Sequence, residues 1–525
     1  MEMTQQQCVL PPRVGETRSR STRLAGGPLD VIFFISIPSF LLFAIALIDA
    51  NRTFFLAGAI WAATTAITRG VHTLLNAEQF SLCRLAAAFS LAFLLGGTVP
   101  VNIEVLFYGN SPSHAAFGMF PILDVPPQAY VALYLVAFHV VCELLGPIDN
   151  RWWRRPIALL IERSEAGKRL VGMDLLVLAA VAALSGYAIA TGQLGINKFY
   201  LEGGAAGENS IVGSLLTVMP PLAVGIAAAL LYRHRRNLLN VVTIVVLSFP
   251  VLLNLFSQGR RPLLFSLAAA VAIVLWQSRR SVRVGAIVLA LLLAPPVLNV
   301  ISTYFQAVRL TYHETGGRRA ERGLLETLRS QALISSNYAG AAEHGLRDFT
   351  VRANSLNFFA EFADRMRSDQ HTLGLLSLGA VLRNVPAALW PEKLTMTKEF
   401  DNPEYYIMRL LGMNELDAAV PLSAHAYAEF GWLGIIFCGS ILLLLSWCLA
   451  ILASMTSCVA VPAATLTVAI CMSLDVEANL TTDLNWLRTV AMLVLPMTVI
   501  GLFLKSGRTR PGAFVNLAGP GRLQR

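Results

Sequence analysis

Charge is scarce in this chain. Asp, Glu, Lys and Arg supply 14% of its 525 residues, against about 25% in a soluble domain. That scarcity excludes a large water-facing globule. Familiar nucleotide and metal chemistry is missing too: there is no Walker phosphate loop, GxSxG elbow, HExxH helix or Cys/His cluster. No metal ion and no cofactor is expected, and a substrate has to arrive already activated. All seven cysteines except Cys8 lie in or beside apolar segments, and the one long polar loop has none. A disulfide framework is thereby excluded. Internal repeats are absent, and the long loop follows the ninth apolar stretch, not the sixth. Both facts speak against a transporter of two similar halves.

Apolar residues are plentiful instead, at 55%, with a mean hydropathy of +0.60. Twelve runs approach or exceed the length that crosses a hydrocarbon slab, roughly 31–49, 54–69, 85–103, 128–146, 171–191, 211–232, 240–256, 262–277, 284–305, 426–452, 458–474 and 486–504. The expected fold is all-α: a polytopic transmembrane bundle of about twelve spans with one large extracytoplasmic loop containing short helices. No small-x-small cleavage site follows the first run, which is expected to remain as an uncleaved span.

Lys and Arg set the orientation. With both termini cytoplasmic, the inside segments hold 23 of them, and the short outside connections hold only Arg52, Lys198, Arg260 and Arg261. The net charge of +9 then reflects topology, and no nucleic-acid partner is expected. The chain divides into a cytoplasmic tail 1–29, spans one to nine in 30–305, the loop 306–424, spans ten to twelve in 425–505 and a second cytoplasmic tail 506–525. Within the loop, Leu356, Phe359, Phe362, Ala363 and Met366 recur at helical spacing, with Glu361, Asp364 and Arg365 on the other face. That pattern predicts a helix lying on the membrane or capping a cavity. Residues 324–346 also read as helix.

Two arginines break the charge rule together. Ser257-Gln258-Gly259-Arg260-Arg261-Pro262 is the whole link between two apolar runs. Paired arginines are costly beside lipid unless they line a wet, protein-walled cavity. Pro262 suits the first position of a helix, which would leave Gly259 and both arginines just before an anion-attracting N-terminus. The turn reads as a phosphate or diphosphate clamp, or as arginines snorkelling to headgroups. His425 and Glu429 stand four apart at the outer end of the tenth run, where a helix sets both on one face. Either can act as a general base toward a sugar hydroxyl, or the pair is simply an interfacial His and a partnered carboxylate.

The SQGRRP turn, the long loop between two late spans and the segment AYAEFGWLGI at 426–435 together resemble the Wzy-type O-antigen and oligosaccharide repeat-unit polymerases of bacteria, from about 195 to 452. The resemblance implies a polymerase of the inner membrane with a metal-independent, GT-C-like helical fold. It would join undecaprenyl-diphosphate-linked glycan units on the extracytoplasmic face, among membrane lipids and beside a chain-length regulator. In that setting Arg260 and Arg261 bind the diphosphate with help from Arg309 and Arg352. Gly259, Lys198 and Tyr200 contact substrate, and Glu429 or His425 serves as base or orients the acceptor. O-antigen ligases are similar in layout. Their pattern sets a His about eleven residues before a Gly, whereas here His425 precedes Gly431 and Gly434 by six and nine. A transporter or flippase of lipid-linked glycan is the third reading, but it would need polar residues through the whole membrane depth.

Overall fold

The computed structural model describes residues 32–109, 124–165, 172–190, 211–258, 260–278, 300, 303–304, 307–308, 311, 334–338, 355–366, 370–385, 390, 406, 420–455, 458–476 and 478–508. Among them there is helix and no strand. A π turn at Ile32–Ser36 leads into α1 (Ile37–Asp49), followed by α2 (Arg52–Leu75), α3 (Leu82–Tyr108), α4 (Val125–Glu165), α5 (Gly172–Ala190), α6 (Ile211–His234), α7 (Leu238–Gln258) and α8 (Arg260–Gln277). Two short helices come next, α9 (Ser355–Arg365) and α10 (Leu375–Asn384). The chain finishes with α11 (Leu422–Phe430), α12 (Gly434–Ser454), α13 (Ala460–Leu474) and α14 (Leu480–Arg508).

Eleven of the twelve apolar runs are helical, and the ninth lies almost wholly outside the described residues. Five helical stretches among the described residues are long and apolar enough to cross a membrane: Arg52–Leu75, Leu82–Tyr108, Val125–Glu162, Leu238–Gln258 and Leu422–Ser454. The run expected at 54–69 fills out to full length because Asn51 caps it, accepting from Thr53 N at 2.9 Å. The tenth run is not one helix. It breaks at Gly431, whose φ of +57° is left-handed, and passes through a 3-10 turn into α12. His371 fills the space where a side chain at Gly431 would stand, so both backbone angle and crowding demand glycine.

α13 is the central pillar. Every residue from Ala460 to Ser473 is buried, and α3, α6, α8, α12 and α14 all pack on it. A helix apolar on all sides belongs in such a position. Its Ala- and Thr-rich surface lets neighbours approach closely, and at Gly225 of α6 the Thr467 hydroxyl occupies the space a Cβ would need. α9 departs from expectation. It packs against α3 and α4, and Glu361, expected on its polar face, is buried beside Arg365 of the next turn. Leu356 to Ala363 are all buried, whereas Asp364 and Arg365 stay exposed as expected, so the departure is confined to Glu361.

One end of the bundle is closed by an ion network. Arg69 and Arg84, which the charge count treats as exposed inside charges, are buried around Glu143. The guanidinium of Arg69 donates from Nε (3.0 Å) and Nη2 (3.1 Å), and Arg84 Nε lies 3.0 Å away. Trp276, at the far end of α8, donates to Leu74 O at 2.9 Å and so pins that helix to the same end. Removing the shared anion leaves two buried cations facing each other. Glu143→Gln is expected to destabilise the fold by about 3–5 kcal/mol, read as a lowered thermal midpoint in detergent. An unchanged midpoint would show that the triad contributes nothing.

Candidate functional site

The other end gathers most of the candidate chemistry, where α3 ends, α4 begins, and α11 meets α10. Leu373 and Gly374 carry φ of 48° and 98°, a pair of left-handed residues that turns the chain sharply into α10. The strand-like approach to this turn lies along the end of α11: Thr372 N donates to Ala428 O (3.2 Å) and Leu373 N to Glu429 O (3.1 Å). Gly374 stands at the N-cap of α10 and has no side chain to accept from the free N–H groups.

Glu429 supplies the missing cap from more than fifty residues away. Its Oε2 accepts from Gly374 N at 2.5 Å and from Thr372 Oγ1 at 2.6 Å, and its Oε1 from Ser377 N at 2.5 Å. The helix dipole adds to these bonds. His425 lies one turn earlier on α11, with its Nε2 3.4 Å from Glu429 Oε1 and 3.1 Å from Ser377 Oγ. The imidazole and the carboxylate are fully buried, whereas Ser377 keeps some exposure. His425 Nδ1 is buried without a hydrogen-bond partner among the described residues.

An aromatic cluster backs this pair. Tyr427 packs edge-on against Tyr134 (5.3 Å between centroids), Phe359 (5.7 Å) and His371 (5.9 Å). Its hydroxyl meets that of Tyr130 at 3.3 Å, and the half-exposed Trp432 donates to Tyr130 Oη at 2.6 Å. Tyr406 reaches over to donate to Gln370 O at 2.5 Å. Burial, and secondarily the charge of Glu429, pushes the Tyr406 phenol above its ordinary pKa.

The structure brings His425 and Glu429 together and sets them against Thr372, Gly374 and Ser377, which sequence reasoning did not single out. The only sequence signal for those three was a glycine just before a helical run with no capping side chain. Arg261 sits in the first turn of α8, and Arg260 opens that helix. They do not precede it as the sequence suggested. A proline within the first turn loses no hydrogen bond, so Pro262 allows the helix to start two residues earlier. Arg261 lies at the opposite end of α8 from Trp276, hence at the same end of the bundle as His425. α8 packs mainly on α6 and α13, not on α11. Gly259, Lys198, Tyr200, Arg309 and Arg352 lie outside the described residues.

Among the described residues no three His, Cys, Asp or Glu side chains gather in a metal-binding group. The arrangement is suited to moving a proton between a hydroxyl and an imidazole beside a fixed carboxylate. No family model, curated protein or solved structure matches the chain.

Glu429→Gln replaces one acceptor oxygen with a donor facing other donors. A buried donor left unpaired costs about 1–3 kcal/mol. Hydrogen exchange at Gly374 and Ser377 is therefore expected to speed up by about 10- to 100-fold, measured by mass spectrometry on peptides spanning α10, while α13 stays protected. Equal protection in both proteins would show that Glu429 is not the cap.

Proposed function

We propose that this chain is a membrane-embedded glycosyltransferase that polymerises undecaprenyl-diphosphate-linked oligosaccharide units on the extracytoplasmic face of a bacterial inner membrane, with both termini cytoplasmic. The observation that carries the reading is the His425–Ser377 contact beside Glu429, at the bundle end that also holds Arg261. Long apolar helices, and the absence of any sequence motif for making an activated sugar from a nucleotide, support a donor that arrives through the lipid.

The chemistry follows from these groups. An acceptor sugar hydroxyl attacks the anomeric carbon of the donor, forming the new glycosidic bond as the bond to diphosphate breaks. The acceptor proton passes to Ser377 Oγ as Ser377 yields its own proton to His425 Nε2. The imidazolium so formed faces the Glu429 carboxylate, which stabilises it and holds α10 in place. Arg260 and Arg261, joined by Arg309 and Arg352 of the loop, take up the charge of the departing lipid diphosphate. Gly259 lets that backbone come close, and Lys198 and Tyr200 contact the glycan. A chain-length regulator is the expected protein partner.

Purified protein in detergent, given lipid-linked repeat units, is expected to produce a ladder of polymer. His425→Ala should slow ladder formation by about 10²- to 10⁴-fold, the range of a lost general base. Arg261→Ala should weaken use of the diphosphate donor more than binding of the acceptor. A normal ladder from a folded His425→Ala protein would sink the proposal.

A further inference from the structure

A separate, partly open pocket of about 30 Å³ lies between α3, α4, α11, α12, α13 and α14. Its polar walls are Ser90, Ser423, Ser473, Asp475 and Asp483. Asp483 is 4% exposed and Ser423 is 2% exposed. The Oδ1 of Asp483 and the Oγ of Ser423 have no hydrogen-bond partner among the described residues. Ser473 Oγ donates to Ala469 O at 2.7 Å, which leaves its lone pairs turned outward. The arginine five residues beyond Asp483, Arg488, donates instead to Asn384 O and Asn485 Oδ1.

The unpartnered Asp483 oxygen is what points to an electropositive guest. A buried carboxylate oxygen without a partner is costly in a low-dielectric interior. Here a second carboxylate, Asp475, lines the same space. The serine and aspartate side chains of the lining all present oxygen, with the Met472 thioether and apolar residues completing the wall, and such an oxygen set favours hard cations. The volume suits a single water or a bare ion. Five oxygen-bearing side chains fall short of the six to eight oxygens that Ca²⁺ collects, and Mg²⁺ gives up its waters reluctantly.

We propose that this pocket binds one sodium ion, held by Asp483 with Asp475 and the hydroxyls of Ser423, Ser473 and Ser90. The ion fastens α11 to α13 and α14. Ser423 lies two residues before His425, so occupancy also fixes the helix that carries the imidazole. This site is independent of the glycosyl-transfer reading.

The test uses the full chain in detergent, exchanged into choline chloride and titrated with radioactive sodium at constant ionic strength. Saturable binding of about one ion per chain is expected, with a thermal midpoint about 3 °C higher at saturation than in choline. Asp483→Asn should abolish both effects. Ser423→Ala, a milder change that keeps the charge, should weaken binding by about tenfold. Wild-type protein with no saturable sodium binding overturns the proposal. Stabilisation by Ca²⁺ or Mg²⁺ alone does so equally, as does sodium binding that survives intact in both folded variants.

Discussion

A helix that begins inside a packed, apolar bundle has a problem that water cannot solve. Its first N–H groups point outward unpaired, and each one left so costs free energy. This chain meets the constraint with carboxylates sent from other helices. Asp149 of α4 accepts from Cys83 N (2.9 Å) and Ser81 Oγ (2.7 Å) at the start of α3. Asp174 of α5 accepts from Ala460 N (2.9 Å) at the start of α13. Glu429 of α11 does the same for α10. Each bond satisfies a helix end and also neutralises a buried anion against a macrodipole. Each fixes the register of segments far apart in the chain, since shifting either partner by one residue would strand both the charge and the donors.

The two ends of the bundle use buried charge differently. At the Glu143 end every charge is paired at close range: two arginines meet one glutamate, and Asp149 also accepts from Ser446, whose oxygen takes the Trp153 indole N–H at 2.7 Å. The network is not complete, for Arg84 Nε and both ring nitrogens of the buried His139 beside Glu143 have no hydrogen-bond partner among the described residues. At the Glu429 end the carboxylate is satisfied by donors of modest strength, and the imidazole beside it keeps an unpaired nitrogen. The two ends differ in what answers the carboxylate: guanidinium groups at one, helix N–H groups and hydroxyls at the other.

Much of the architecture was legible in the sequence because lipid and protein impose the same simple demand. Apolar runs become helices, and their order survives in the structure. The His425–Glu429 pair was legible for a related reason, as a spacing of four places two residues on one helical face. What stayed hidden depends on contacts between distant segments. Nothing local marks Thr372, Gly374 and Ser377 as partners of Glu429, because their role exists only once α10 is laid beside α11. Arg69 and Arg84 counted as surface charges, since a sequence shows sign but not the buried Glu143 that answers them. Glu361 misled in the same way: its spacing put it on a polar face with Asp364 and Arg365, which are exposed, yet packing of α9 buries Glu361 itself.

α11 shows how much can be asked of nine residues. Its polar and aromatic side chains fall at every second position, Ser423, His425, Tyr427 and Glu429, with Ala424, Ala426 and Ala428 between them. Steps of two on an α-helix advance about 200°, so the series divides between opposite faces. Tyr427 turns to α4 and stacks edge-on against Tyr134, which also donates to the Ser423 carbonyl at 3.1 Å, while Ser423 lines the pocket beside α13 and α14. His425 and Glu429 turn to α10. The alanines keep the helix thin enough to be sandwiched between the two, and Gly434 allows the start of α12 to press against the Ala426 carbonyl. Were the helix to continue straight through Gly431, the polar faces would follow it along the bundle. The break confines them to one end, so the imidazole, its carboxylate and the aromatic wall are held by a helix too short to move independently of its neighbours.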